Sequence, residues 1–220
     1  MIKLENVYLD SLEEKILLKD VSFFIASGSL ISIKSPPSLG KTKLMKAIAM
    51  IDKPKSGNIF VMGKNISKLR GKEIAELRRK VSIVFEEDLF IDELNVYDNI
   101  LFPLVFRNEN SKEINLALKE LVPWLNLGKI INRSIKSLSK SEKKIVQFAR
   151  AIIVRPRILL LDDFFYSIDK EAEKKIIYLI MALNRIGTSI VIFGRDSYSY
   201  KINFNNKFII KDKSLLEVKN

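Results

Sequence analysis

The segment SPPSLGKTKL, Ser35–Leu44, carries residue types that can bind phosphate groups. The pattern G-x-x-x-x-G-K-[ST] surrounds phosphates with backbone amides, brings a lysine to the outer phosphates and directs a hydroxyl to Mg²⁺. Gly40, Lys41 and Thr42 match the second half of this pattern, whereas Ser35 replaces its first glycine. The loop by itself leaves two interpretations open, because a Gly-Lys-Thr triplet also occurs at ordinary helix starts.

A pair of carboxylates follows about 120 residues later, where the apolar stretch Ile158–Leu161 leads to Asp162 and Asp163. In phosphate-loop enzymes such a strand delivers a carboxylate to Mg²⁺, and Asp162 has this position. Two aspartates after a strand are also typical of a helix cap or a loop. Their order after the phosphate loop favours the metal-binding interpretation.

The composition excludes several kinds of chemistry. The 220 residues include no histidine and no cysteine, so imidazole catalysis, thiolate metal sites and disulfides are absent. Carboxylates are left as the side chains able to act as a base near neutral pH. Since no apolar run reaches the roughly 18 residues of a membrane span and no signal peptide is evident, we expect a cytosolic or membrane-surface location.

The net charge of +12 favours polyanionic surroundings, either nucleic acid or an anionic membrane surface. The lysines are spread along the chain, as on ordinary solvated faces, and form no basic stripe interleaved with aromatic residues. We therefore expect a membrane surface as a partner and do not expect nucleic acid.

The segments around these residues alternate between strand and helix patterns. SLISIKS reads as a strand before the phosphate loop and KTKLMKAIAMI as a helix after it, which is the context that such a loop requires. RILLLDD and TSIVIFG are further apolar strands separated by a long helical pattern that Gly187 closes. This alternation predicts an α/β fold with a parallel sheet flanked by helices.

Three further elements complete the prediction. MIKLENVYLD and KILLKDVSFFI read as two strands joined by a turn near residues 11–14, and KFIIKDKSLLEV reads as a hairpin. NLALKELVPWLNL has helical periodicity that Pro123 interrupts, so we expect a helical subdomain over residues 89–137. Ser139 and Glu142 form a capping box that begins a helix near Ser139.

That last helix carries the segment SLSKSEKKIVQFARAI, which resembles the signature segment of ATP-binding cassette (ABC) proteins, LSGGQ followed by a helix with A-R-A. The chain is similar to this family over nearly its whole length. MIKLENV, ELRRKVSIVFEEDLF, NVYDNILFPLV and ALNRIGTSIVIFGRD most resemble the FtsE group of cell-division ATP-binding subunits. Lipoprotein-release or export subunits remain alternatives.

The resemblance implies one ATP-binding domain of the P-loop NTPase type over residues 1–220, with an N-terminal antiparallel part and the helical subdomain. It implies ATP and Mg²⁺ as ligands, and a head-to-tail homodimer or heterodimer that sandwiches each ATP between one loop and the other signature. It also implies an FtsX-like integral membrane partner at the cytoplasmic face of the inner membrane. Phe90–Phe106 matches the surface that receives this partner, although the segment also reads as ordinary helical core.

The roles of individual residues follow from the same resemblance. It assigns nucleotide binding to Ser38, Gly40, Lys41, Thr42, Lys43, Ser139 and Asp169, metal binding to Thr42, Asp162 and Glu86, and catalysis to Asp163, Glu86 and Arg195.

Several of these positions depart from the family pattern. Asp163 replaces the catalytic glutamate and is one methylene shorter, and a displacement of about 1 Å can cost about a hundredfold in rate. Glu86 replaces a glutamine, and Arg195 replaces a histidine with a side chain that can hold a phosphate but never releases a proton. Lys140 and Ser141 replace both glycines of the signature.

The phosphate loop departs as well, because Pro37 lacks an amide, and Ser35 and Ser38 replace glycines that tolerate unusual backbone angles. The departures lie almost entirely at the nucleotide site and leave the apolar pattern of the sheet intact. We expect slow or partner-dependent ATP hydrolysis, and the alternative is an inactive scaffold that docks the membrane partner.

Overall fold

The computed structural model describes residues 1–11, 15–105, 111–195 and 202–218, with only the backbone for 111–115. Most of the turn expected near residues 11–14, and Phe106 at the end of the expected partner surface, lie outside the described residues. The strands are β1 Ile2–Asp10, β2 Ile16–Ile25, β3 Leu30–Lys34, β4 Ser56–Val61, β5 Lys64–Asn65, β6 Val81–Val84, β7 Ile158–Asp162, β8 Ser189–Gly194, β9 Asn206–Lys211 and β10 Ser214–Val218. The helices are α1 Lys41–Ile48, α2 Lys72–Arg78, α3 Val96–Val105, α4 Ser111–Trp124, α5 Lys140–Ile152 and α6 Lys170–Arg185.

The N-terminal strands form a four-stranded antiparallel sheet in the order β2-β1-β4-β5. Alternate residues of β1 are buried, among them Ile2, Leu4 and Val7, because successive side chains of a strand point to opposite faces. Leu4 lies opposite Phe23 of β2 and Ile59 of β4. The predicted antiparallel part is confirmed.

The second sheet has six strands in the order β10-β9-β3-β8-β7-β6. Neighbours from β9 to β6 are parallel, and β10 pairs with β9 as the predicted hairpin. Every residue of β7 and β8 is buried, as expected for strands covered on both faces. The carboxyl ends of β3, β6, β7 and β8 therefore meet at one edge, which brings together the residues that follow these strands.

Two hydrophobic cores cover the two faces of this sheet. In β7, Ile158 and Leu160 pack with the N-terminal sheet and α1, whereas Leu159 and Leu161 pack in the core that includes α3, α5 and α6. This packing on both sides fixes the ends of the central strands. None of the described helices is long and apolar enough to cross a membrane.

The chain between β6 and α5 is helical, with α3, α4 and short 3₁₀ turns at Leu127–Lys129 and Ile135–Ser137. Pro123 does not interrupt α4, which ends one residue later at Trp124. The proline removes one backbone donor, and the helical pattern continues past it, since the Leu125 amide donates to the Leu121 carbonyl at 3.0 Å. The grouping of residues 89–137 into a subdomain stays a prediction.

Candidate nucleotide site

The phosphate loop leaves β3 and ends at Gly40, directly before α1. Gly40 has φ 93°, and a Cβ there would lie 3.0 Å from Cβ of Leu17, so both the backbone angle and the space require glycine. Ser38 also has a positive φ, 64°. A non-glycine residue in this region costs of order 1–3 kcal/mol, so the loop keeps a left-handed turn where glycine would be cheaper.

Ser35 does not have the positive φ that a replaced glycine would suggest. It is fully buried, its amide donates to the Gly194 carbonyl at 3.0 Å, and its hydroxyl donates to the Pro36 carbonyl at 2.7 Å. The start of the loop is therefore anchored to β8, while Pro36 to Leu39 are exposed.

Lys41 and Thr42, at the start of α1, meet Asp162 at the end of β7. The Thr42 hydroxyl donates to Asp162 Oδ2 at 2.7 Å, and Lys41 Nζ lies 3.8 Å from Asp162 Oδ1. Both Lys41 and Asp162 are buried. Burial raises the pKa of Asp162, and the hydrogen bond from Thr42 and the charge of Lys41 only partly oppose this shift.

Asp163 lies on the other side of Lys41. Its Oδ2 accepts a hydrogen bond from Lys41 Nζ and lies 3.4 Å from Nε of Arg195. Its backbone is in the left-handed region with φ 42°, and its carboxylate contacts Lys41 at the start of α1. The carboxylate that the sequence predicts as a base is thus shared between two cations.

Arg195, which follows β8, also reaches Glu86, which follows β6. Its terminal nitrogen lies 2.6 Å from Glu86 Oε1, and its guanidinium lies 4.3 Å from the ring centroid of Tyr166. We call Lys41, Glu86, Asp162, Asp163 and Arg195 the charged cluster. The structure brings together all the predicted catalytic and metal-binding side chains within it or, for Thr42, against it.

The donor set fits Mg²⁺ in part. Asp162 Oδ1 is buried without a hydrogen-bond partner. The other oxygen of the same carboxylate, Oδ2, accepts a hydrogen bond from the Thr42 hydroxyl. Mg²⁺ in phosphate sites commonly uses one or two such protein ligands and completes its shell with phosphates and waters. The described residues contain no cluster of three or more acidic, histidine or cysteine side chains that could hold a metal alone. Thr42 and Asp162 would hold the ion, whereas Glu86 is engaged with Arg195.

The remaining predicted residues form a second group. Ser139 caps α5 with the full capping box to Glu142, which confirms the predicted helix start. Asp169 caps α6 by accepting hydrogen bonds from the amides of Glu171 and Ala172. Ser141 joins the two caps through a hydrogen bond to Asp169. Among the described residues, no hydrogen bond or ion pair connects this group with the charged cluster.

Lys43 lies apart from both groups, because its ammonium pairs with Asp52 at 3.2 Å. Its side chain is directed to this partner. A role of Lys43 in nucleotide binding stays a prediction, and its backbone would have to provide the contact.

Sequence reasoning missed one set of residues, on α5. Lys144 is buried and donates hydrogen bonds to the carbonyls of Phe85 and Glu86, and Gln147 donates to the carbonyl of Glu87 at 2.7 Å. Burial lowers the pKa of Lys144, and Asp88 at 3.7 Å opposes the shift. Arg150 adds a bond to the carbonyl of Leu89. The one sequence feature that could have predicted these contacts is the set of polar residues on an otherwise buried face of α5.

A strand, a left-handed loop, a buried lysine and a hydroxyl paired with a strand-end carboxylate define the class of P-loop nucleotide-binding proteins. The model of the family described as ABC transporter matches residues 18–165, and the chain belongs to this family. The predicted fold class is confirmed.

Individual relatives show how far the similarity extends. The chain is 32% identical over 193 residues to the methionine import ATP-binding protein MetN of Clostridium acetobutylicum, covering 87% of this chain and 60% of that protein. It is 29% identical over 181 residues to the cell division ATP-binding protein FtsE of Mycobacterium tuberculosis, covering 82% of this chain and 79% of that protein. Matches to MetN proteins span between 51% and 65% of their length.

Solved structures share the fold. The ATP-binding cassette MJ0796, in a dimeric post-hydrolysis state bound to ADP and Pi, superposes with a TM-score of 0.87 at 26% identity and full coverage of both chains. A cbiO1 structure from Clostridium perfringens superposes with a TM-score of 0.84 at 24% identity, covering 98% and 86%.

Proposed function

We propose that this chain is the ATP-binding subunit of an FtsE-FtsX-like complex, peripheral to the cytoplasmic face of the inner membrane, with slow or partner-dependent ATP hydrolysis. The observation that carries the proposal is the buried contact of Lys41 and Thr42 with Asp162 and Asp163. Burying these charges costs stability even when they are paired, and a pure scaffold would not need them.

The chemistry of the chain's own residues follows from this contact. Lys41 and the loop amides bind the phosphates, and Thr42 and Asp162 hold Mg²⁺, which neutralises phosphate charge when bound. Asp163 orients the attacking water and accepts its proton. Because Asp163 Oδ2 is already engaged by Lys41 and Arg195, it must leave these partners to contact the attacking water, which supports slow hydrolysis.

Pairing with a second subunit is part of the proposal. The group around Ser139 and Asp169 shares no hydrogen bond or ion pair with the charged cluster among the described residues, although the resemblance assigns both to the nucleotide site. A head-to-tail dimer would place this group of one copy against the cluster of the other. The solved MJ0796 cassette, which is dimeric with ADP and Pi, supports this arrangement. The second subunit is either another copy of this chain or a related cassette.

A surface on α3 supports the membrane partner. Val96 and Ile100 are buried in the core, whereas Tyr97 and Val105 are 37% and 69% exposed, and Leu89 before the helix is 46% exposed. The described part of the segment is therefore not wholly core. Its exposed apolar side chains are suited to receive a cytoplasmic helix of an FtsX-like subunit.

The choice of FtsE over other subunits depends on the membrane partner. The similarity to MetN relatives is of the same size as that to FtsE, and lipoprotein-release or export subunits remain further alternatives. Co-expression with the FtsX-like and the import permease subunits of the same organism, followed by purification and ATPase measurement, decides between them. We expect stable co-purification and stimulated hydrolysis with the FtsX-like subunit, and stimulation by the import permease instead would contradict the proposal.

One observation favours a second candidate function, an inactive scaffold. The Asp163 carboxylate is already paired with both Lys41 and Arg195 within the chain, so the group expected to act on water is engaged in structural contacts. Such a protein would dock the membrane partner through α3 and bind nucleotide weakly or not at all.

A single-turnover assay separates these two functions. Trace Mg-ATP is mixed with a large excess of protein, which favours pairing, and phosphate release is compared with Lys41→Ala. Release above this control supports the ATPase. Release equal to the control from folded protein, repeated with the membrane subunit present, supports the scaffold.

A further inference from the structure

Arg195 ties together three neighbouring strand ends. It follows β8 directly, and its guanidinium reaches Asp163 after β7 at 3.4 Å and Glu86 after β6 at 2.6 Å. Because β7 lies between β8 and β6, the side chain crosses one strand end to reach the next. Tyr166 contacts the guanidinium with its ring face at 4.3 Å.

The charges of Glu86 and Arg195 compensate each other. The charged cluster contains two cations and three carboxylates, which leave one net negative charge. Loss of Glu86 alone would make the cluster neutral, and loss of Arg195 alone would leave two negative charges to repel a polyanion such as ATP. Replacement of either residue alone changes the net charge of the cluster, so the two residues act as a pair.

Two of the four ion pairs in the cluster differ in how easily they can open. Lys41 and Asp163 have side chains only 8% and 6% exposed, whereas Arg195 and Glu86 are 30% and 48% exposed. An exposed pair is worth little and can be exchanged for a better partner, and a phosphate offers arginine two parallel hydrogen bonds with a larger charge.

We propose that Glu86 and Arg195 form an exchangeable ion pair that distinguishes ATP from ADP. Glu86 holds Arg195 at the strand ends in the free protein, and the terminal phosphate of ATP takes over the guanidinium. ADP lacks this phosphate and leaves the pair closed. The inference rests on the proposed function, because it needs the loop and Lys41 to bind nucleotide.

The test is a double-mutant cycle on equilibrium binding of Mg-ATP and Mg-ADP by calorimetry, with wild type, Glu86→Gln, Arg195→Gln and the double variant. In the presence of Arg195, Glu86→Gln removes the ion pair that ATP must open and leaves Arg195 only its longer contact with Asp163, so ATP should bind about fivefold more tightly. In the Arg195→Gln background the same change should alter ATP affinity by less than about twofold. ADP affinity should show no such difference between backgrounds.

Glu87→Gln is the matched control, since Glu87 is the exposed neighbour of Glu86 and its carboxylate makes no ion pair with any described residue. It removes the same charge and measures the general effect on binding a polyanion. Equal effects of Glu86→Gln in both backgrounds, or equal effects on ATP and ADP, would overturn the exchange alone. Failure of the wild type to bind ATP better than Lys41→Ala would overturn the proposed function together with it.

Discussion

Ser141 donates a hydrogen bond of 2.6 Å to Oδ2 of Asp169 and so joins the first turn of α5 to the first turn of α6, 28 residues further along the chain. Asp169 already caps α6 with its other oxygen, so one carboxylate fixes the starts of two helices. The replacement of a signature glycine by Ser141 therefore adds a contact within the chain, at the position where the proposed dimer would meet its partner.

Ser141→Ala should lower the free energy of unfolding at pH 7 by about 1 kcal/mol, the usual net value of one hydrogen bond. The backbone bond from Ala172 and the bond from Ser141 lower the pKa of Asp169. A carboxyl group whose pKa is lowered by folding stabilises the native state at pH values above its ordinary pKa. This stabilisation is lost as the pH falls through the pKa of the folded state. The deficit of the variant should thus shrink in urea titrations below about pH 4. Ser67→Ala, at an exposed serine whose hydroxyl has no partner among the described residues, should show no deficit, and a deficit of equal size there would contradict this prediction.

Asp163→Glu should accelerate phosphate release, because it restores the missing methylene between the strand end and the attacking water. The gain should be about tenfold or more if the shorter side chain misplaces the carboxylate by about 1 Å. Asp163→Asn should reduce release to the level of Lys41→Ala. Single-turnover release from trace Mg-ATP measures all three variants, and an active Asp163→Asn would show that another group orients the water.

Asp162→Asn should stabilise the protein at neutral pH. Burial raises the pKa of Asp162, so the native state binds a proton more readily than the unfolded chain and the stability due to this group falls as the pH rises through the folded pKa. Asparagine avoids this cost, can still accept the bond from Thr42, and leaves Lys41 paired with Asp163.

We expect the melting temperature of Asp162→Asn to exceed that of the wild type at pH 8, by about 2–4 °C for each kcal/mol gained. The difference should narrow as the pH falls through the raised pKa of Asp162, because the wild-type carboxyl then takes up its proton. A lower melting temperature at pH 8 would mean that the ion pair with Lys41 outweighs the cost of burial. Mg-ATP binding should be weaker in the same variant, because the buried carboxylate that lowers stability is also the proposed Mg²⁺ ligand.

Lys144→Met should loosen the segment from Phe85 to Leu89. The carbonyls of Phe85 and Glu86 lose their charged donor, and a hydrogen bond from a charged group is worth about 1.5–3 kcal/mol. Hydrogen exchange at residues 85–89 should accelerate while β7 remains protected. Lys143→Met is the control, because Lys143 pairs only with Asp88 at 3.5 Å among the described contacts and is less buried. Equal exchange rates at residues 85–89 in both variants would show that Lys144 does not hold this segment in place.

Much of the fold was determined by local sequence patterns. Alternation in β1, the continuous apolar runs of β7 and β8 and the capping box at Ser139 each specify an element through neighbours a few residues apart. Gly40 was likewise predicted from the motif, and the structure shows the backbone angle that requires it. Pro123 shows the limit of such patterns, because the residue type alone predicted an interruption that the last turn of α4 does not have.

The arrangement of the charged cluster was decided by the tertiary structure. The sequence by itself determined that Lys41, Asp163, Glu86 and Arg195 are present and that each follows or precedes a strand. Lys41 meets Asp163 across 122 residues and Arg195 meets Glu86 across 109, contacts that depend on the order in which parallel strands assemble. Buried Lys144 shows the same dependence, since lysine usually lies in solvent and only the packed chain supplies the carbonyls that bind it. Local periodicity fixes which residues form a strand, but long-range packing alone fixes which strand ends become neighbours, and hence which charges meet.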